Sequence, residues 1–359
     1  MKSNVKFPGL GLDLYFNNSI KIGSFEITYY GLIIGFGLLL AMIYALKKFK
    51  KVGVDPDKAL NAIIFGLIGG IIGARAYYVI FAFEEFKDNL WSIFNTRTGG
   101  LAIYGGIIGS LLFGVIAAKF SKVKILPLLD VVGIGFLIGQ GIGRWGNFFN
   151  VEAFGSNTKM PWGMTSPSIT SYLMDNKENF EKIGVFVDPN VPVHPCFLYE
   201  SIWCIIGVFV LNAYLKHRKF DGEVFLMYCG YYGLGRFFIE GLRTDSLMIG
   251  TLRASQLLAG ALVVASVLTI IIIRSKIKSN HDENYMKLFA LTDEGKKIVL
   301  AQTTTKVSNK DKKIKGEITE EIAEEIKGEI TNVSKTNNEN ESISEIETKE
   351  KGVDENDKS

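Results

Sequence analysis

Seven stretches of mostly apolar residues, each about 20 residues long, dominate the first 280 positions, and about 20 is the length an α-helix needs to cross a hydrocarbon core. They run roughly from Tyr29 to Leu46, Ala59 to Phe83, Leu101 to Ala118, Leu126 to Gly143, Phe197 to Tyr214, Val224 to Ile239 and Ala254 to Ile273. Inside a bilayer no water satisfies backbone N–H and C=O groups, so each stretch must close its hydrogen bonds within itself, as a helix does. The expectation is an all-α polytopic membrane protein with seven transmembrane helices. The sixth stretch is the weakest, being short and interrupted by Arg236.

Basic residues set the orientation. Lys47, Lys48, Lys50, Lys51 and Lys58 lie between the first two stretches, and Lys119, Lys122 and Lys124 between the third and fourth. Lys216, His217, Arg218 and Lys219 join the fifth to the sixth, and Arg274, Lys276 and Lys278 follow the seventh. Seven crossings put all four clusters on one side, which the preference of Lys and Arg for cytoplasmic loops makes the cytoplasm. The N-terminus is then outside and the C-terminus cytoplasmic.

Charge also divides the chain. The mean hydropathy of +0.21 and net charge of +3 average over two unlike parts. Residues 281–359 hold 13 Lys and Arg against 19 Asp and Glu, while residues 1–280 hold 27 against 18. The basic excess of the body reads as a topology signal rather than as a footprint for nucleic acid. The expected organisation is a seven-span body, 1–280, with an external cap at about 147–195, followed by a charged cytoplasmic tail, 281–359. Ile314, Ile318, Ile322, Ile326 and Ile330 mark a narrow stripe in that tail, but its Asn, Glu, Ser and Lys content favours disorder. Cys196, Cys204 and Cys229 lack the spacing of a disulfide framework or metal knuckle. The opening residues, mixed and polar, do not read as a removable signal peptide. Glycine pairs four apart (Gly66/Gly70, Gly69/Gly73, Gly105/Gly109, Gly135/Gly139 and Gly139/Gly143) predict close helix packing.

On this topology the polar side chains near the membrane collect at the outer ends. They are Tyr30, Arg75, Tyr104, then Arg144, Asn147 and Glu152 leaving the fourth span, His194, Tyr199 and Glu200 starting the fifth, and Tyr232, Arg236, Glu240 and Arg243 ending the sixth. Asp130, near the cytoplasmic end of the fourth, is the exception and reads as structural, pairing with Lys124 or capping a helix. Ionisable groups at such depth are costly and usually serve a cavity. Positions 232, 236, 240 and 243 share one helix face. A structural salt ladder would account for that face, but buried ion pairs stabilise poorly, which favours an anion site with surplus positive charge. Arginine suits phosphate because its planar fork binds two oxygens and stays charged. Counting Arg75, Arg144, Arg236 and Arg243 against Glu152, Glu200 and Glu240, the outer cavity should attract an anionic lipid headgroup. Tyr30, Tyr104 and Tyr199 read equally well as an interfacial aromatic belt. His194 has no second ligand at metal spacing, so no metal site is assigned.

Four ordered motifs resemble one family. Gly143-Arg144-Trp145-Gly146-Asn147-Phe148-Phe149-Asn150-Val151-Glu152, closed by Gly155, resembles the signature of bacterial prolipoprotein diacylglyceryl transferases. Tyr30-Gly31, His194-Pro195-Cys196-Phe197-Leu198-Tyr199-Glu200 and Tyr232-Gly233-Leu234-Gly235-Arg236-Phe237-Phe238-Ile239-Glu240-Gly241-Leu242-Arg243 resemble its other motifs, so that the likeness covers about residues 20–275. The resemblance implies transfer of the diacylglyceryl group of phosphatidylglycerol to the lipobox cysteine of a prolipoprotein signal peptide. A thioether forms and glycerol 1-phosphate leaves, at the external face of the bacterial cell membrane, without cofactor. The substrate thiol is then the nucleophile. Arg144 and Arg236 are assigned to the phosphate, Arg243 supports them, and Glu152 and Glu240 orient them. Tyr30, Asn147, Gly155, His194 and Tyr232 are assigned to substrate binding. Where many members carry His-Gly-Gly, this chain has Tyr104-Gly105-Gly106. Either Tyr104 relays the thiol proton, or His194 or a water takes it, or that position is not the base. The rival reading, a lipid transporter or flippase binding anionic headgroups, predicts polar residues spread through the membrane depth.

Overall fold

A computed structural model describes residues 2–301 except Ser24, Arg97, Thr98, Ile183, Gly184, Asp245, Ser246, Leu247, Gly250, Thr251 and Glu283, so the isoleucine stripe of the tail lies outside the described residues. The chain is mostly helical: α1 (Tyr29–Phe49), α2 (Pro56–Phe81), α3 (Ile103–Phe120), α4 (Ile125–Asn150), α5 (Pro167–Asp175), α6 (Lys177–Lys182), α7 (Cys196–Tyr214), α8 (Glu223–Glu240) and α9 (Ala254–Ser279). Among the described residues six helices, α1 to α4, α7 and α9, are long and apolar enough to cross a membrane. Their outward faces expose Ile72, Leu112, Phe209 and Ile271, apolar area of the kind that bilayer lipid covers. The architecture is that of a polytopic membrane protein. The sixth apolar stretch forms α8, whose 18 residues include Glu223, Arg236 and Glu240 and so fall short in apolarity, although it packs against α4, α7 and α9.

Local chemistry sets the helix starts. Thr28 Oγ1 accepts from Gly31 N–H at 3.3 Å to open α1, and Asp55 Oδ1 accepts from Asp57 N–H at 3.0 Å beside Pro56, the first residue of α2. The N-terminus of α8 is capped from another helix: Asp130 of α4 accepts from Gly222 N–H at 2.9 Å and Phe225 N–H at 3.1 Å, with Arg218 Nε 3.4 Å away. Asp130 is therefore a helix cap, paired with Arg218 rather than with Lys124.

Packing between α2 and α3 is backbone on backbone. A Cβ at Gly73 would lie 2.3 Å from the Gly105 carbonyl oxygen, and one at Gly109 would lie 2.1 Å from that of Gly69. Gly139 of α4 behaves differently, since a Cβ there would meet nothing within 4 Å. That space belongs to a cavity described below.

Three two-stranded antiparallel hairpins, absent from the all-α expectation, accompany the helices: β1 (Lys2–Phe7) with β2 (Leu12–Asn17), β3 (Ser19–Ile22) with β4 (Phe25–Thr28), and β5 (Met248–Ile249) with β6 (Leu252–Arg253). β1 exchanges backbone hydrogen bonds of 2.8 Å with Thr165 and buries Val5 and Phe7 among Phe148, Phe154, Met164, Ile169 and Leu173. The N-terminal strand and the segment after α4 thus share one core, a cap over the bundle end where α1 begins and α4 stops. A second core, around Phe49, Val52, Leu128, Leu211 and Val224, fills the opposite end. There the chain after α9 returns to the body: Phe289 N–H donates to Asp221 Oδ2 at 2.7 Å, and the Lys124 ammonium lies 5.6 Å from the Phe289 ring centre.

The α2–α3 contact is testable. Gly73→Val must force two backbones apart, and overpacking of this kind costs about 1–3 kcal/mol. The expected outcome is a clear fall in melting temperature in detergent, and an unchanged transition would show that the helices are not so close.

Candidate active site

The polar groups of the cap end converge on one carboxylate. Glu200, in the first turns of α7, is only 3% exposed. Its Oε2 lies 2.6 Å from Arg144 Nη2 of α4, and its Oε1 lies 2.9 Å from Arg236 Nη1 of α8 and 3.6 Å from Arg243 Nη1 just beyond α8. Arg236 also pairs with Glu240 one turn on, and Arg253 donates to the Glu240 backbone carbonyl. Three elements are thereby tied through one side chain. Tyr232 stacks on Tyr228 (centroids 6.0 Å apart) and lies within electrostatic reach of Arg144, Glu200 and Arg236.

α4 continues to Asn150, so Arg144 and Asn147 ride on its last turns rather than leaving it. Asn147 links Arg144 to Glu152: its Oδ1 accepts from Arg144 Nη1 at 3.4 Å while its Nδ2 donates to Glu152 Oε1 at 2.7 Å. Gly155 serves as a junction. Its N–H donates to the His194 carbonyl at 2.9 Å and it bridges to Arg243, and a Cβ there would lie 2.9 Å from His194 Cβ, Cys196 Sγ and the Leu242 carbonyl oxygen. Only glycine lets these segments meet. His194 Nδ1 lies 3.0 Å from the Tyr199 hydroxyl, which accepts from Trp162 Nε1–H at 2.7 Å. Partial burial pushes the His194 pKa below its ordinary value, so the ring is neutral at neutral pH.

Beside this network a cavity of about 500 Å³ runs between α1 and α4, bounded also by Ile63 and Leu67 of α2 and Ile103 of α3. Tyr30, Arg144 and Asn147 line its cap end; Ile34, Leu38, Met42, Val132 and Phe136 line the rest. From Val132 to Asn147 the α4 wall extends about 22 Å, more than one leaflet of roughly 15 Å. A charged mouth on a long apolar slot matches a lipid with an anionic head.

Most of the expected site residues come together, with two exceptions. Arg75, on α2, serves the loop that leads to α3: its five N–H donors reach the carbonyls of Ser92, Ile93, Asn95, Gly99 and Gly100, which removes it from the anion site. Tyr104 is exposed, 6.4 Å from the Tyr77 ring, and its neighbour Ile103 rather than Tyr104 itself lines the cavity. Sequence reasoning gave Glu200 too small a part and missed Arg253 and Gln140. Glu200 had a signal, as the carboxylate closing the His194 motif. Arg253 had none, because only the β5–β6 hairpin brings it back to Glu240.

Comparison with known proteins gives the family. Residues 17–272 match the family of prolipoprotein diacylglyceryl transferases. The chain is similar to the phosphatidylglycerol–prolipoprotein diacylglyceryl transferase of Clostridioides difficile (41% identity over 72% of this chain and 95% of the relative). It is similar also to those of Clostridium botulinum strain 657 (42%, covering 73% and 98%) and Bacillus cytotoxicus (38%, covering 75% and 95%).

Removing the shared carboxylate should be felt by every arginine around it. Glu200→Gln is expected to destabilise the protein by about 3 kcal/mol, the lower end for breaking a buried pair. Thermal unfolding in detergent reads this directly, and a melting curve like that of the parent would deny Glu200 its central place.

Proposed function

The chain belongs to the prolipoprotein diacylglyceryl transferase family, and from that premise we propose how its cap end carries out the reaction. It transfers the diacylglyceryl group of phosphatidylglycerol to a prolipoprotein, the first step of lipoprotein maturation. The acceptor is the lipobox cysteine of the signal peptide. Its sulfur attacks the glyceryl carbon that carries the phosphate; the carbon–sulfur bond forms as the carbon–oxygen bond to phosphate breaks. The thiol proton departs, and glycerol 1-phosphate leaves.

The observation that carries this reading is the arginine cluster at the mouth of an apolar slot. Breaking the bond turns a singly charged phosphodiester into a monoester that gains a second charge. Arg144 and Arg236 are held by Glu200 where that charge develops, and fixed donors of this kind stabilise a transition state without reorganising. Arg144, Arg236 and Arg243 gather around Glu200, and Arg144 also lines the mouth of the slot, where the anion would sit. Asn147 and Glu152 hold Arg144 in register, Glu240 does the same for Arg236, and Tyr30 and Tyr232 flank the lipid. His194 and Gly155 shape the floor of the cap where the peptide arrives. Tyr104, in the position of the family's usual histidine, relays the thiol proton.

The basic loops support an orientation with this end outside, α8 as the seventh crossing and the charged tail in the cytoplasm. Lipid in the outer leaflet and an exported cysteine then meet at the same depth.

Purified protein incubated with phosphatidylglycerol and a synthetic lipobox peptide should yield a diacylglyceryl adduct on the cysteine by mass spectrometry. Arg144→Lys should lower kcat/KM about 100-fold or more, because a point charge replaces a planar fork; turnover like that of the parent would remove Arg144 from the mechanism. Tyr104→Phe should cost about 100-fold in kcat while Tyr104→His retains or raises it. Full turnover in Tyr104→Phe would rule out the hydroxyl as the relay.

A further inference from the structure

Below Arg144 the cavity wall is apolar except for one side chain. Gln140 lies four residues before Arg144 on α4, hence on the same helix face and about 6 Å deeper. Its Nε2 donates to the Tyr228 hydroxyl of α8 at 3.1 Å, while its Oε1 is buried without a hydrogen-bond partner among the described residues. A buried amide left half satisfied is unfavourable, and such a group in a ligand cavity is explained when the ligand completes it. The Tyr228 hydroxyl donates as well as accepts. The amide can therefore turn over and take the Tyr228 proton on Oε1, which frees its N–H groups for a ligand acceptor once the side chain leans into the cavity it lines.

The order of groups in a glycerophospholipid decides what it meets. With the phosphate at Arg144 and the acyl chains in the apolar slot, the two ester carbonyls fall between them, a few ångströms to the tail side of the phosphate. They are acceptors in otherwise apolar surroundings. We infer that Gln140, braced by Tyr228, is the recognition group for an ester carbonyl of the diacylglyceryl moiety, so that the enzyme selects diacyl over dialkyl lipid. This rests on the transferase reading above and adds a specificity determinant to it. The esters take no part in the chemistry, because the bond that breaks joins the third glycerol carbon to phosphate. Exchanging esters for ethers therefore changes recognition and leaves the reacting groups intact.

The test offers the full-length protein diacyl and dialkyl-ether phosphatidylglycerol of equal chain length, separately with the lipobox peptide and together in native mass spectrometry without it. The parent should favour the diacyl lipid about three- to tenfold in KM and in the fraction retained, the size expected of one buried neutral hydrogen bond. Gln140→Leu should erase that preference by weakening the diacyl lipid alone, with kcat little changed. Equal use and equal retention of both lipids by the parent would overturn the inference, as would a preference that survives in Gln140→Leu. Failure of the transferase reading looks different: no adduct from either lipid, with the retention measurement still reporting on Gln140.

Discussion

Guanidinium groups can gather at the end of an apolar bundle only where carboxylates sit among them. Glu200 is the carboxylate on which this arrangement depends. It comes from α7, yet the charges it balances come from α4, from α8 and from the chain beyond α8. Because it is nearly inaccessible, its charge acts at low effective dielectric and cannot be replaced by solvent. The spacing between Arg144 and Arg236 is thus decided before any ligand arrives. A pair of forks set by a common anchor is suited to receive charge that appears only during bond breaking.

The same logic explains α8, the least apolar of the long helices. Both of its ends are held by groups from other helices. At one end Asp130 caps it, and Glu223, fully buried, pairs with Arg274 of α9 at 2.6 Å. At the other Arg236 and Glu240 join the Glu200 network. Between them Trp203 Nε1–H donates to the Tyr231 carbonyl at 3.0 Å and the Tyr231 hydroxyl donates to the Trp203 carbonyl at 2.9 Å, fastening α7 to α8. A helix whose charges face protein rather than lipid has no need of a uniformly apolar sequence.

These facts mark what could be read from the residues alone. The helices were legible because the membrane demands length and apolarity, and α4, α7 and α9 begin within a few residues of where hydropathy puts them. The helix face at 232, 236, 240 and 243 was legible from spacing. The N-terminal hairpins were not, since alternation over Val5 and Phe7 is too short to register and its meaning depends on Thr165 far along the chain. Arg75 was misassigned for a related reason: an arginine that serves loop carbonyls and one that serves a ligand look alike in sequence. Glycine spacing likewise predicted packing throughout, and α2, α3 and Gly143 of α4 follow it, whereas at Gly139 the missing side chain leaves room for a ligand.

That difference between glycines bears on the geometry of attack. α2 and α3 close on each other and touch α4 only sparsely, and Ile63, Leu67 and Ile103 bound the slot between α4 and α1. On the proposed reaction the phosphate is drawn to the arginines of α4 and α8 while the tails descend along α1. Displacement at a saturated carbon requires the sulfur to enter opposite the departing oxygen, and on the proposed reading α3 offers that side. A thiol arriving there passes Tyr104, next in sequence to the cavity-lining Ile103. On that reading the exposed Tyr104 hydroxyl is the group that takes the departing proton, the role proposed for it above.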